Sequence, residues 1–160
     1  TIKGANIDCK TAGNATTSCI PVWAKGTAEV TIEGGNFNTI GENSCIYVSE
    51  ATAKITIKGG TFNAGANAKY TLNQKNDIAK QCIFVEGGNF INFNPAQALN
   101  DDTWATGVAN ENINFVAATK QVDVYNNAGT KVASNSTNAC NAAVITAHGP
   151  KVTYKVVAAE

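Results

Sequence analysis

The sequence contains no methionine, no arginine and a single histidine, has only three prolines and two tryptophans, and keeps charged residues to 15 % of its 160 positions with a net charge of zero. Each shortage removes a class of function. Without a basic surplus there is nothing to hold nucleic acid or an anionic membrane by bulk electrostatics, so no nucleic-acid partner is expected. No apolar run reaches about 18 residues, so no membrane insertion is expected. The first residues also lack the apolar core of a signal peptide. The missing initiator methionine reads as a processed chain or a piece of a longer one. His148 precedes Gly149 and Pro150 in an expected turn, and no Gly-x-Ser-x-Gly phrase occurs, so a nucleophilic triad has no footing. The five cysteines, Cys9, Cys19, Cys45, Cys82 and Cys140, show no Cys-x-x-Cys spacing. With one imidazole to help them they make no metal site, and no cofactor is expected.

Alanine, asparagine, threonine and glycine are abundant, the composition of strands joined by tight turns. The hydrophobic fraction of 44 % suffices for a core, and the length suits one domain or one domain with a small appendage.

One phrase recurs: VTIEGGNF at 30–37, ITIKGGTF at 55–62 and IFVEGGNF at 83–90, with a fainter TIKGANI at 1–7. Its first glycines, Gly4, Gly34, Gly59 and Gly87, are spaced by 30, 25 and 28 residues, a period that points to a solenoid. Within each copy Ile32 and then Phe37, or their equivalents, alternate with polar residues, the period-two signature of a strand with one buried face. The glycine pair breaks the strand and lets the chain turn before the aromatic residue points back inward. A second strand signal follows as CIPV at 19–22, CIYV at 45–48 and YTL at 70–72.

Such a unit cannot close a core alone, but copies stacked in register place Ile on Ile and Phe on Phe. The expected fold is all-β: a right-handed parallel β-helix of about four coils with a β-rich C-terminal cap. The column Lys3, Glu33, Lys58 and Glu86 alternates in sign, as a structural ladder of stacked levels requires to avoid repulsion. Asp8, Asn38 and Asn63 form a corner column whose members can hydrogen-bond one level away. The expected divisions are coils over 1–93, a capping loop over 94–117 and a hairpin-rich module over 118–160. In that module QVDVY and TKVAS read as one hairpin, and VITAHGPKVTYKVV at 144–157 as the strands of a second.

The run YTLNQKNDIAKQCIFVEGGNFINFNPAQA at 70–98, with NFVA at 114–117 and YKVVAAE at the end, resembles β-helical fibre and tailspike-like proteins of gut Bacteroidales phages, crAss-like phages among them, and related bacterial surface proteins. The resemblance covers roughly residues 28–117 and the last few, and its GGxF and NFNPA phrases mark an architecture more than a chemistry. It implies a homotrimeric fibre subunit in a virion, in contact with other virion proteins and with a host cell-surface polysaccharide. A bacterial cell-surface adhesin is the alternative, and a polysaccharide-degrading tailspike a further one.

No residue is assigned a catalytic role. Glu33 and Glu86 share a column two levels apart, roughly 9.6 Å from a spacing of about 4.8 Å, within reach of an inverting glycosidase geometry. Lys58 stands between them, however, and makes a structural ladder the plainer reading. Asp101 and Asp102 beside Trp104 are candidate glycan- or receptor-binding residues, since an aromatic face packs on a sugar while carboxylates take its hydroxyls; a solvated turn is the bland alternative. Trp23, Tyr47 and Phe84 fall at outward positions and are candidate oligomer contacts. Cys19 and Cys45, each in SCIxV, are expected to stack on adjacent levels as two thiols, with Cys82 in a different column.

Overall fold

A computed structural model describes residues 1–12, 19–65, 68, 70–75, 78, 82–91, 122–126, 128–136 and 153–158. These are all-β, with parallel strands in three sheets and no helix. The first ten strands are β1 (Ala5–Asp8), β2 (Val22–Ala24), β3 (Glu29–Ile32), β4 (Gly35–Asn38), β5 (Ile46–Val48), β6 (Lys54–Ile57), β7 (Thr61–Asn63), β8 (Leu72–Gln74), β9 (Ile83–Val85) and β10 (Gly88–Ile91). They pair in parallel as β1-β4-β7-β10, β2-β5-β8 and β3-β6-β9, so successive repeats lie level upon level in a β-helix-like arrangement.

The repeat phrase sets this register. Ile32 pairs with Ile57 and Ile57 with Val85, while Ile2 bridges to Ile32. One corner on, Ile7, Phe37, Phe62 and Phe90 form a second apolar column. The rings of Phe37, Phe62 and Phe90 stack with centroids 5.0 Å apart at each step. Ile32, Ile57 and all three phenylalanines are fully buried, and such side chains each stabilise by about 1.5–3 kcal/mol. Ile2 and Ile7 are only half-buried; among the described residues the first level has a paired neighbour on one side alone.

The glycine pair answers two separate demands. The first glycine lies against the preceding level: a Cβ on Gly59 would run into the carbonyl oxygen of Glu33. The second turns the corner with positive φ, 105° at Gly60, which an L side chain rarely adopts. Asparagines line the outer corner. Asn38 Nδ2 donates to Asp8 Oδ1 at 2.8 Å, Asn63 Nδ2 to Asn38 Oδ1 at 3.4 Å, and Asn36 Nδ2 to Asn6 Oδ1 at 2.7 Å.

Two buried side chains tie down connections that lack strand pairing. Asn43 Oδ1 accepts the Cys19 N–H at 3.0 Å, and its Nδ2 donates to the Thr11 carbonyl at 2.8 Å. Gln74 Oε1 accepts the Cys82 N–H at 2.8 Å, and its Nε2 donates to the Ile78 carbonyl at 3.3 Å. Each satisfies backbone groups that would otherwise be costly inside the protein.

The first unit departs from the expected register. Val22 pairs with Ile46 and Trp23 with Tyr47, a slip of two residues from the match of CIPV to CIYV. A slip of two preserves which face is buried, and Pro21, having no N–H to give a ladder, starts the strand after itself. Cys19 therefore does not stack on Cys45; it forms a disulfide with Cys9, with their Cα atoms 5.5 Å apart. The expectation of two stacked thiols is corrected accordingly. Cys45 and Cys82, both buried and outside any disulfide, immediately precede β5 and β9, strands of different sheets.

The tail adds β11 (Val122–Tyr125), β12 (Lys131–Ser136) and β13 (Thr153–Ala158) to the first sheet, in the order β10-β13-β11-β12 and all antiparallel. β11 and β12 form the hairpin read from QVDVY and TKVAS. Asn126 shapes its turn, Oδ1 accepting from the N–H groups of Ala128 and Thr130, both at 3.0 Å. β13 takes the latter part of 144–157 and slots between β10 and β11, which covers the edge of β10. The rest of the expected second hairpin and the segment 94–117 lie outside the described residues.

Candidate functional site

Lys3, Glu33, Lys58 and Glu86 each follow a member of the paired isoleucine column. The amides of Glu33, Lys58 and Glu86 donate to the carbonyls of Ile2, Ile32 and Ile57, each at 2.7 Å, which brings the four residues onto successive levels. Lys3, Glu33 and Lys58 are exposed and Glu86 is half-buried. Lys58 occupies the position between Glu33 and Glu86, where a hydrolase working with that pair would need room for substrate and water.

The outward aromatics divide between two sheets. Trp23 lies on Tyr47 with centroids 5.4 Å apart, and its Nε1 donates to Ser49 Oγ at 2.8 Å. That bond holds the indole against the sheet while 56 % of the residue stays exposed. Phe84 belongs instead to the column Thr31, Thr56, Phe84, where Lys54 Nζ stands 5.1 Å from the ring centroid. Trp23 and Tyr47 therefore share a surface that Phe84 does not. Asp101, Asp102 and Trp104 lie outside the described residues.

A site not found from the sequence lies where the tail joins the first sheet. Asn89 on β10 pairs with Lys155 on β13, Lys155 with Tyr125 on β11, and Tyr125 with Lys131 on β12. Along β13 the alternation brings Thr153, Lys155 and Val157 to the same side. With Asn89, Tyr125 and Asn126 they line an open groove of about 480 Å³. Lys131 Nζ lies 5.6 Å from the Tyr125 ring centroid and donates to Asp123 Oδ2 at 2.7 Å. The hydrogen bond to Asp123 holds the Lys131 ammonium above its ordinary pKa. Period-two patterns in QVDVY and VTYKVV do place these residues on strand faces. Which strand would neighbour which was invisible, because β13 pairs with partners far away in the chain.

The buried Cys45 thiol is not set up as a nucleophile. Cys45 Sγ donates to the Phe37 carbonyl at 3.3 Å, and burial pushes its pKa up to about 12. Reactive cysteines have lowered pKa values and access to solvent. Among the described residues no group of three or more His, Cys, Asp or Glu is placed to hold a metal ion. No protein-family model matches the chain, and no curated protein or solved structure does so either.

Proposed function

We propose that the chain is a rigid, non-enzymatic fibre subunit: a right-handed parallel β-helix of about four coils, capped by its β-rich tail. In this reading it forms a homotrimer in a virion tail or head fibre and attaches to a cell-surface polysaccharide. The observation that carries the proposal is the registry of the columns, Ile2 to Val85 and Phe37 to Phe90. The first three levels are bonded to one another along three sheets and the fourth to the third along two, so bending the stack would break backbone hydrogen bonds and separate stacked rings. Such stiffness suits a spacer that holds a binding surface away from a particle.

Two further features support the reading. Trp23, largely exposed and fixed by Ser49, suits a subunit contact, since aromatics are enriched in interface cores. The Cys9–Cys19 disulfide suits a protein that works outside a reducing cytosol.

Light scattering on the purified chain at micromolar concentration tests the proposal. A mass three times that of the chain, falling when Trp23 is replaced by Ser, is the expected result; a monomer overturns the trimeric fibre.

A further inference from the structure

We infer that the groove over β10, β13 and β11 binds an acidic sugar, a pyranose bearing a carboxylate such as the uronic-acid unit of a polysaccharide. The inference rests on the attachment reading above and gives it a ligand class and a place.

Two lysines stand in the row that crosses the groove, and their roles differ. Lys131 is already neutralised by Asp123 at 2.7 Å. Lys155 is exposed, sits between Asn89 and Tyr125 by register, and has no acidic partner among the described residues. Its ammonium is the charge available to an incoming anion. Among the described residues no carboxylate lines the groove, and the carboxylate of Asp123, opposite Val157 in register, is buried and neutralised by Lys131.

The remaining lining fits the rest of a sugar. Asn126 spends its carbonyl oxygen on the N–H groups of Ala128 and Thr130, which leaves its NH2 to donate outward. The Thr153 hydroxyl and the Asn89 amide offer both donors and acceptors to ring hydroxyls. Tyr125 and Val157 supply apolar surface for the C–H face of a pyranose. The volume of about 480 Å³ falls within the range of small-molecule sites, roughly 300–1,000 Å³. A phosphate group would be better served by several cations or a nest of backbone N–H groups, and among the described residues the groove offers the single ammonium of Lys155. A single lysine beside a ring, amides and a hydroxyl matches a carboxylated sugar.

Titration calorimetry with an oligoglucuronate, and with the same oligosaccharide after its carboxylates are reduced to alcohols, tests the inference. The acidic form is expected to bind and to weaken with added salt. Replacing Lys155 by Ala is expected to lower its affinity about tenfold or more, since hydrogen bonds to charged groups are the stronger class. Lys155→Arg should retain most of the binding, and Tyr125→Ala should weaken both forms. Equal affinity for the acidic and reduced forms, no binding of either, or full affinity in Lys155→Ala overturns the inference. Light scattering on the same samples separates the two readings. A trimer that ignores the acidic oligosaccharide leaves the fibre standing without this ligand, and a monomer that binds it through Lys155 leaves the ligand site standing without the trimer.

Discussion

The α-carbon of Gly59 faces the backbone carbonyl oxygen of Glu33 on the preceding level with no room for a methyl group between them. Gly4 occupies the same place in the repeat phrase, yet a Cβ there would meet nothing within 4 Å. Gly59→Ala should therefore lower stability by about 1–3 kcal/mol, as overpacking does, while Gly4→Ala should stay within about 0.5 kcal/mol of the parent. Urea unfolding of the two variants checks this. Equal losses would mean that contact between levels is not what the first glycine serves.

Phe62 is sandwiched between Phe37 and Phe90, whereas Ile7 ends the same column half-buried. Phe62→Ala should cost about 3–5 kcal/mol, the range for emptying a buried aromatic site. Ile7→Ala should cost clearly less, because its cavity opens to solvent. Denaturant midpoints, compared at unchanged slope, give the ranking.

The Cys9–Cys19 bridge closes a loop of ten residues' separation at the first level. Its reduction should cost about 2–4 kcal/mol and should open the half-buried Cys19 thiol to alkylation in the native state, while Cys9 is itself buried and should react more slowly. Cys45 and Cys82 are buried and should react only after unfolding. Mass spectrometry of alkylated protein, with and without reductant, reads each site; native labelling of Cys45 would contradict its burial.

Cys45 also sets a pH dependence. Its folded pKa of about 12 lies above the ordinary 9.0, so above pH 9 the unfolded chain loses this proton while the folded one keeps it. The associated stability is fully present below about pH 9 and is lost as pH rises through the folded value, at about 1.4 kcal/mol per pH unit within that window. The stability difference between the parent and Cys45→Ala should shrink from about pH 8 to about pH 11. A difference that stays constant would place the thiol in contact with water.

The parts of this architecture that were legible in the sequence are those that repeat. Ile32, Ile57 and Val85, like Phe37, Phe62 and Phe90, carry the alternation of a half-buried strand at the period of a stack, and the glycines between them mark the corner. Legibility failed where a residue broke the pattern locally. Pro21 shifted β2 by two residues, and the similarity of SCIPV to SCIYV hid it. Cys9 has no counterpart in later repeats, so nothing marked it as the partner of Cys19. The groove was hidden for a different reason. Asn89, Tyr125 and Lys155 meet only because β13 inserts between β10 and β11, and alternation along a strand fixes its faces without naming its neighbours. Trp23, Tyr47 and Phe84 each alternate with buried neighbours, but that Phe84 faces a different surface from the other two depends on which sheet each strand joins, which alternation does not give.

The vertical stacking of the phenylalanines is the point on which the account turns, and nuclear Overhauser contacts between ring protons test it most directly. With centroids 5.0 Å apart at both steps, cross-peaks are expected between Phe37 and Phe62 and between Phe62 and Phe90, and none between Phe37 and Phe90. Missing cross-peaks at both steps, or a direct contact between Phe37 and Phe90, would contradict a stack in which each repeat lies on the one before.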